Sequence, residues 1–253
     1  MKTREASMWY RSIRGACYQA RRWKNHFENK SQKLGFYSAF GEDGEIATVF
    51  SGLQNGFYVD IGSGHPILDS NTYFFYKNLK WRGIAVDAIK SNCIQHNLFR
   101  PHDDVVWAAI GIKSNEITVY EYPANEFTTT DKKRYEELKL EDKFPSTIKL
   151  LKCLTLESLL KQKNEICMQE SFMSIDVEGG EQEVLLSVNW DEYRPALICI
   201  EDIANTNKET QELLEEKGYA FLARLGLSNI FKLKSSEHLL CRVNAKCNFK
   251  RGK

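Results

Sequence analysis

The sequence predicts an α/β fold, a doubly wound and mostly parallel sheet that ends in an antiparallel hairpin. Short apolar runs that are nearly continuous rather than alternating are typical of strands covered on both faces. Segments with helical character lie between several of these runs, and this alternation favours right-handed crossovers between parallel strands. The segments 219–225 and 229–234 resemble a hairpin with Gly226 near its turn. The apolar runs are residues 57–61, 84–87, 105–110, 172–177 and 196–201.

Residues 1–34 form a basic arm with nine Lys or Arg and two Asp or Glu, a net charge of +7. The remaining residues carry a net charge of −6. We expect the arm to be a helix that packs on the domain or forms half of a homodimer contact. The alternative is a basic amphipathic helix that touches a membrane surface or an anionic substrate. Apolar side chains recur every three or four positions in it, at Trp9, Ile13, Ala16, Ala20, Trp23 and Phe27.

Residues 35–253 are interpreted as one domain with three clear helices between its strands. Side chains that can accept hydrogen bonds from the first helical N–H groups indicate where two of these helices begin. The helices are predicted over residues 70–79, capped by Ser70 and Asn71, over 156–163, capped by Thr155, and over 208–217, with Leu213 and Leu214 on one face.

Two further strands, over residues 116–122 and 147–154, flank a hydrophilic insertion at residues 124–146. The insertion has no apolar periodicity of its own. A long polar insertion in a compact domain is usually functional or disordered. We therefore interpret it as a candidate lid over the active site, with a plain surface loop as the alternative.

The composition is that of an ordinary globular protein, with 42% apolar and 27% charged residues and a net charge of +1. No apolar run approaches the roughly 20 residues that span a bilayer, and no signal-peptide pattern is present. The seven cysteines are odd in number and form no CxxC pair, which disfavours a zinc site or a disulfide framework. We expect a reducing, cytoplasmic location. The cysteines are Cys17, Cys93, Cys153, Cys167, Cys199, Cys241 and Cys247.

Acidic residues end four of the predicted core strands. Parallel strands share one carboxyl edge, and ligands of open α/β sheets bind at that edge. Acids there are costly unless they meet hydroxyls, amines or cations. The edge is therefore predicted to bind a ligand that has ribose hydroxyls, a positive centre or a metal. The acids are Asp60, Asp87, Asp176, and Glu201 with Asp202.

The first of these strands runs into a glycine turn in the segment FYVDIGSGHP, residues 57–66. Gly62 and Gly64 let the backbone approach a ligand closely. The turn is not a GxGxxG motif, and Pro66 separates it from any helix, so a dinucleotide turn is poorly matched. Asp87 ends the next strand about 25 residues later, a spacing suited to binding two ribose hydroxyls.

Three ordered blocks resemble the FkbM-type methyltransferase family: YSAFGEDGEI (37–46), GFYVDIGSGHPILDSNTYFFYKNLKWRGIAVDA (56–88) and FMSIDVEGGEQEVL (172–185). The similarity runs over roughly residues 35–202. It implies a seven-stranded, Rossmann-like domain that uses S-adenosylmethionine. It also implies O-methylation of a hydroxyl, often on a sugar or a natural-product scaffold.

The resemblance also implies roles for individual residues. Asp60 and the turn of Gly62, Ser63 and Gly64 would hold the methionine part of the cofactor, and Asp87 the ribose. Many relatives have Pro after that acid, where this chain has Ala88, and often Gln at the position of Ala39. The other implied cofactor-binding residues are Tyr37, Glu42 and Asp43 over the cofactor, Ser70 and Asn71 beside it, and Asp176. Asp176, Glu178 and Glu181 would lie on the substrate side.

Methyl transfer to a hydroxyl requires alignment of oxygen, methyl and sulfur, and removal of a proton of high pKa. The candidate catalytic bases are Asp176, Glu178 and His65, and His65 has the unperturbed pKa best suited to neutral pH. The alternative for His65 is a structural bond to the loop. Mg²⁺ bound by Asp176, Glu201 and Asp202 is an alternative aid. Glu201 could instead pair with an arginine, Arg194 or Arg224.

We expect the acceptor to be a sugar hydroxyl, on a nucleotide-linked sugar or a glycan. The alternatives are a hydroxyl of a lipid or natural product, and a domain that binds the cofactor or a sugar nucleotide without turnover. A nicotinamide-dependent oxidoreductase is disfavoured by the missing GxGxxG motif. Nucleic acid is not expected as a partner, because the body is acidic and lacks NPPY-like and PCQ-like motifs.

Overall fold

The structure is a computed structural model that describes residues 35–124, 127–162, 168–202 and 208–236. The basic arm and the predictions made for it lie outside the described residues, as do Cys17, Cys167, Cys241 and Cys247. Within the described ranges, no helix combines the length and the apolar composition that crossing a bilayer requires.

A seven-stranded sheet in the order β3-β2-β1-β7-β8-β10-β9 forms the centre of the domain. Its first five strands are parallel, and β10 runs antiparallel to both of its neighbours. A smaller sheet has the order β4-β6-β5. The strands are β1 (Phe57–Ile61), β2 (Arg82–Asp87), β3 (Asp104–Trp107), β4 (Ala109–Ile110), β5 (Asn115–Glu121), β6 (Thr147–Leu154), β7 (Ser171–Ile175), β8 (Leu197–Glu201), β9 (Tyr219–Leu225) and β10 (Ser228–Leu233). The predicted fold class, with its terminal hairpin, is confirmed.

The apolar run 105–110 was predicted as one strand, and this prediction is wrong. The run is divided between two sheets, because β3 pairs with β2 and β4 pairs with β6. At the junction, the Ala108 N–H donates to the Asp87 carbonyl oxygen at 3.2 Å. The chain then leaves the large sheet, so that the small sheet begins beside the carboxyl end of β2.

Seven helices accompany the sheets: α1 (Glu42–Phe50), α2 (Tyr73–Leu79), α3 (Lys90–Phe99), α4 (Lys132–Leu140), α5 (Leu156–Leu160), α6 (Glu181–Leu186) and α7 (Lys208–Glu216) in the described part of the chain. Single 3₁₀ turns cover Met168–Glu170 and Lys234–Ser236. The predicted caps are only partly confirmed. The Ser70 hydroxyl accepts from the Tyr73 N–H at 3.1 Å and the Thr155 hydroxyl from the Ser158 N–H at 3.1 Å. The Asn71 amide instead donates across the sheet to the Ser174 hydroxyl at 3.1 Å.

Two apolar layers cover the large sheet, as the continuous strand pattern predicts. Neighbouring residues of one strand pack into different layers, Val59 into one and Tyr58 into the other. The second layer is rich in aromatic rings and includes the fully buried Trp81. Its indole N–H donates to the Leu53 carbonyl oxygen at 2.7 Å, which satisfies the polar atom that burial would otherwise leave unpaired. The buried Cys199 belongs to this layer, as expected for a thiol in an apolar run.

The polar insertion contains a helix that its sequence pattern did not reveal. Asp131 begins α4, because its carboxylate accepts from the N–H groups of Lys133 and Arg134. A stacked pair of rings, Tyr120 and Tyr135, joins α4 to β5 with centroids 4.0 Å apart. The insertion is therefore attached to the smaller sheet, whose first strand adjoins the carboxyl edge of the larger one.

Candidate functional site

A cavity lies at the carboxyl ends of β1, β2 and β7, where the sequence predicts a ligand site. Six of the predicted site residues line it: Gly62, Gly64, Asp87, Ala88, Asp176 and Glu178. The wall also includes residues that the sequence analysis did not select, Asn92 and the hydroxyl-bearing run Thr128, Thr129 and Thr130. The insertion therefore contributes to this cavity through its first residues.

The two glycines of the turn have different physical reasons to be glycine. Both have positive φ, 75° at Gly62 and 58° at Gly64. A Cβ at Gly62 would lie 1.6 Å from the Asp176 carbonyl oxygen, so this glycine lets β1 and β7 approach each other at their ends. A Cβ at Gly64 would meet no atom within 4 Å. Only Gly64 therefore leaves open space beside the cavity.

Asp87 ties the turn to the following helix. Its carboxylate accepts from the Gly64 N–H at 2.8 Å, the Ile89 N–H at 2.7 Å and the Asn92 amide at 3.0 Å. Burial raises the pKa of Asp87 to about 6, and these hydrogen bonds oppose that rise. An ionised carboxylate offers about four acceptor positions. The protein fills most of them, so Asp87 has room for about one ligand hydroxyl rather than two.

Asp60 lies in β1, two residues before Gly62, and is not among the residues that line the cavity. Its carboxylate accepts a hydrogen bond of 2.6 Å from the Thr72 hydroxyl. Burial raises its pKa to about 7, and the nearby Arg100 guanidinium opposes the rise. Any action of Asp60 on a ligand in this cavity is therefore electrostatic, through the turn, or requires a local rearrangement.

His65 is part of the loop structure after the turn. Its Nδ1 accepts from the N–H groups of Ile67 at 3.1 Å and Leu68 at 3.0 Å. A neutral imidazole with an accepting Nδ1 carries its proton on Nε2, and that nitrogen cannot accept another. The geometry favours the structural alternative for His65 over the base. Beside it, the buried Ser63 hydroxyl has no hydrogen-bond partner among the described residues.

The predicted residues before β1 bind their own segment and do not line the cavity. The Asp43 carboxylate accepts from the Tyr37 N–H and the Ser38 hydroxyl, each at 2.6 Å. Glu42 accepts from the Phe40 N–H at 2.8 Å and from the Ser228 hydroxyl at 3.2 Å. These bonds fix the start of α1 against β10. These contacts show that Tyr37, Glu42 and Asp43 stabilise the local structure. Their roles in cofactor binding stay predictions.

Three carboxylates meet at the ends of β7 and β8. Each of Asp176, Glu178 and Glu201 offers an oxygen, and these oxygens lie within 4.8 Å of one another. Burial, followed by the Asp176 charge, raises the pKa of Glu201 to about 10. Like charges this close are not all ionised at neutral pH.

The observed cluster differs by one residue from the predicted metal set of Asp176, Glu201 and Asp202, and that set stays a prediction. Asp202 accepts from the Asn229 amide at 3.1 Å and lies 3.7 Å from the Arg224 guanidinium. Asp202 lies one residue beyond the end of β8, and in the described part of the chain its side chain contacts Asn229 and Arg224 rather than Asp176. Glu178 takes the third position. Among the described residues, the two arginines considered for Glu201 lie beside other acids, Arg224 beside Asp202 and Arg194 beside Asp191.

The turn that carries Glu178 has a strained backbone. Glu178 has φ 58°, a left-handed conformation that is unusual for a residue with a side chain. The Glu181 carboxylate, predicted on the substrate side, instead accepts from the N–H groups of Val177 and Gly179 at 3.1 Å each. It therefore stabilises the turn from within.

The sequence contains only weak signals for the site residues that it did not predict. Asn92 lies five residues after Asp87, in the first turn of α3, where a polar side chain could have suggested a contact with the acid that ends β2. The run of three threonines is conspicuous but lies in a segment without a predicted element. Arg100, whose guanidinium opposes the rise in the pKa of Asp60, gives no sign in the sequence that it is buried.

The chain matches the model of a known methyltransferase domain family. The model of the methyltransferase FkbM domain matches residues 60–221, from the end of β1 into β9. A search of curated proteins gives no match. A solved structure that matches is precorrin-6y C5,15-methyltransferase from Geobacter metallireducens GS-15, at 12% identity and a TM-score of 0.36. That match covers 73% of this chain and 84% of the other. Because the domain model spans more than half of the sequence, the chain belongs to the FkbM methyltransferase domain family.

Proposed function

We propose that the domain transfers a methyl group from S-adenosylmethionine to a hydroxyl, and that the acceptor is a sugar of a nucleotide-linked sugar or a glycan. The observation that carries the proposal is the shared cavity. It is lined both by the glycine turn with the β2 acid and by two of the three clustered carboxylates, Asp176 and Glu178. A cofactor side and a proton-accepting side are thus adjacent.

The residues on the cofactor side fit this molecule. Gly64 leaves open space, the Ser63 hydroxyl is buried without a partner in the described part of the chain, and Asp87 has room for a ligand hydroxyl. Apolar side chains such as Ile89 and Val119 line the same cavity and suit an adenine ring. Asp87 would hold the ribose, and the turn would hold the methionine part.

The carboxylates on the other side fit the removal of a proton. When bound, the cofactor supplies an electrophilic methyl group, and the protein must align the acceptor and take its proton. The raised pKa of Glu201 keeps that side chain protonated at neutral pH. Asp176 is exposed to solvent and lines the cavity, whereas Glu201 does not line it. Asp176 is therefore our choice for the base.

A second role for the same three carboxylates is the binding of a divalent cation such as Mg²⁺. The specific observation in its favour is that their oxygens lie within 4.8 Å of one another, and oxygen donors are the ligands that Mg²⁺ prefers. Under this alternative the cation would lower the pKa of the acceptor hydroxyl. Excess chelator would then abolish turnover, and it would leave turnover unchanged if Asp176 acts without a metal.

Calorimetric titration with S-adenosylhomocysteine tests the cofactor assignment. We expect micromolar binding, weakened at least tenfold by Asp87→Ala, and no binding of NAD. Asp191→Asn is the matched control, because this aspartate has a side chain 92% exposed to solvent. Absence of binding, or binding of NAD instead, would overturn the proposal. A second series with Mg²⁺ shows whether the cation changes the affinity.

A further inference from the structure

Arg100 is a fully buried arginine at the end of α3, with no solvent exposure. Its guanidinium contacts the segment that follows the cofactor turn. Nε donates to the Pro66 carbonyl oxygen at 2.6 Å, Nη1 to the Thr72 hydroxyl at 2.7 Å and Nη2 to the Ser70 hydroxyl at 2.7 Å. A buried charge is costly unless it is paired and hydrogen-bonded. The contacts with both ends of this segment satisfy it.

The direction of the hydrogen bonds is fixed by chemistry. A guanidinium only donates, so the Thr72 oxygen must accept from Arg100. The single hydroxyl proton of Thr72 is then available for the Asp60 carboxylate, whose Oδ2 lies 2.6 Å away. Two hydrogen bonds therefore run in one direction, from Arg100 to Thr72 and from Thr72 to Asp60. We call these three residues the Arg100 relay.

Other charged groups around Asp60 act in opposite directions. Asp103 and Asp176 raise its pKa, while Arg100 and the bond from Thr72 lower it. The Asp103 carboxylate has partners of its own. It accepts a hydrogen bond of 2.5 Å from the Tyr58 hydroxyl and lies 3.7 Å from the Arg100 guanidinium. Arg100 is thus the positive group that opposes the desolvation of Asp60.

We propose that Arg100 is a positioning residue, which holds the Asp60 carboxylate through the Thr72 hydroxyl as the anionic partner of the cofactor's ammonium group. The role of Asp60 toward the cofactor rests on the proposed function, whereas the relay itself does not. Asp60 precedes Gly62 by two residues, so its carboxylate belongs to the strand that enters the turn, and the contact of Arg100 with Pro66 fixes the loop that leaves the turn. One side chain therefore sets both the charge and the shape of this part of the site.

The first test is a carbon-13 NMR titration of the Asp60 carboxyl in the protein without ligand. Thr72→Val removes the hydroxyl at nearly constant volume, and Thr72→Ser keeps it. We expect the Asp60 midpoint to rise by about one pH unit in Thr72→Val and to stay within about 0.3 units of wild type in Thr72→Ser. An unchanged midpoint in Thr72→Val would overturn the relay, whatever the cofactor proves to be.

Arg100 is tested in the same way with Arg100→Lys and Arg100→Gln, each checked for cooperative thermal unfolding. The relay predicts a larger rise of the Asp60 midpoint in the glutamine variant than in the lysine variant, which keeps the charge. It also predicts that Arg100→Gln adds less to the shift when Thr72→Val is already present. If Arg100→Gln shifted the Asp60 midpoint equally in the wild type and in Thr72→Val, Arg100 would not act through Thr72. If the Arg100 variants fail to fold, the comparison of Thr72→Val with Thr72→Ser alone tests the relay.

The second readout is the pH dependence of S-adenosylhomocysteine affinity. The binding midpoint of Thr72→Val should move upward with the Asp60 midpoint, whereas a merely structural role would weaken binding equally at every pH. A shifted carboxyl midpoint in a protein that binds no S-adenosylhomocysteine would leave the relay standing and reject the proposed function. Binding with an unmoved pH profile in Thr72→Val would reject the link between Asp60 and the cofactor.

Discussion

The Thr129 hydroxyl donates a hydrogen bond of 2.8 Å to the carbonyl oxygen of Glu178. This bond joins the polar insertion to the strained turn at the end of β7. The backbone of Thr129 is fixed in turn, because it exchanges two hydrogen bonds with Tyr120 of β5, at 2.9 and 3.2 Å. The smaller sheet therefore holds the turn that carries one of the clustered carboxylates.

Loss of the Thr129 hydroxyl should reduce turnover more than cofactor binding. Thr129→Val removes the bond to the Glu178 carbonyl oxygen, so the strained turn can relax and displace the carboxylates. Small displacements of catalytic groups are costly, and we expect kcat to fall by about tenfold. The affinity for S-adenosylhomocysteine should stay within about twofold, because Asp87 and the glycine turn are unchanged. Thr129→Ser is the control and should retain both values. Equal turnover in the two variants would contradict the coupling.

Replacement of Gly62 and of Gly64 by alanine distinguishes the cost of backbone strain from the cost of a steric clash. Both positions have positive φ, so each alanine costs about 1–2 kcal/mol in backbone strain. Only the Gly62 methyl would also collide with the Asp176 backbone, at 1.6 Å. We expect Gly62→Ala to lower the free energy of unfolding by more than about 4 kcal/mol. Gly64→Ala should fold and bind S-adenosylhomocysteine more weakly. Denaturant unfolding measures the difference, and equal stabilities would refute it.

Ionisation of Asp60 should lower the free energy of unfolding as the pH rises from about 4 to about 7. Its pKa is raised by burial from 3.8 to about 7, so the folded state binds the proton more tightly than the unfolded chain does. The contribution of Asp60 to the free energy of unfolding is then greatest below pH 4 and falls as the pH rises to 7. Asp60→Asn removes this dependence. Relative to wild type, the variant should gain on the order of a few kcal/mol between pH 4 and pH 8. A pH-independent difference in thermal unfolding would contradict the raised pKa.

The carboxylate cluster should respond differently to two amide substitutions. Glu201 holds its proton at neutral pH because burial and Asp176 raise its pKa to about 10, and glutamine imitates that neutral form. We expect Glu201→Gln to keep kcat within about fivefold, while Asp176→Asn, which removes the proposed base, should lower kcat by about a hundredfold or more. Both variants should bind S-adenosylhomocysteine. A similar, large loss of kcat in both variants, together with sensitivity to chelator, would instead favour the bound cation.

The sequence was sufficient for the large sheet but not for the assignments that depend on side-chain direction. Continuous apolar runs identify strands covered on both faces, and this physical signal is strong. The run 105–110 gave no sign of a change of sheet, because Ala108 is apolar like its neighbours. Glu201 ends β8 and Asp202 follows it directly, but the sequence does not show that Asp202 contacts Asn229 and Arg224 while Glu201 lies near Asp176. The burial of Arg100 is likewise invisible, since a charged residue at a helix end usually faces solvent.

The pairing of β1 with β7 has a consequence for the synthesis of the protein. Phe57 lies opposite Ser171, and the Asp176 N–H donates to the Ile61 carbonyl oxygen at 2.9 Å. The neighbour that completes the first strand and its glycine turn is therefore translated long after them. Contacts so distant in sequence form slowly, because a long loop must close first. A nascent chain on the ribosome can hold no assembled site until β7 has emerged, so the cofactor can stabilise the domain only after most of it has been made.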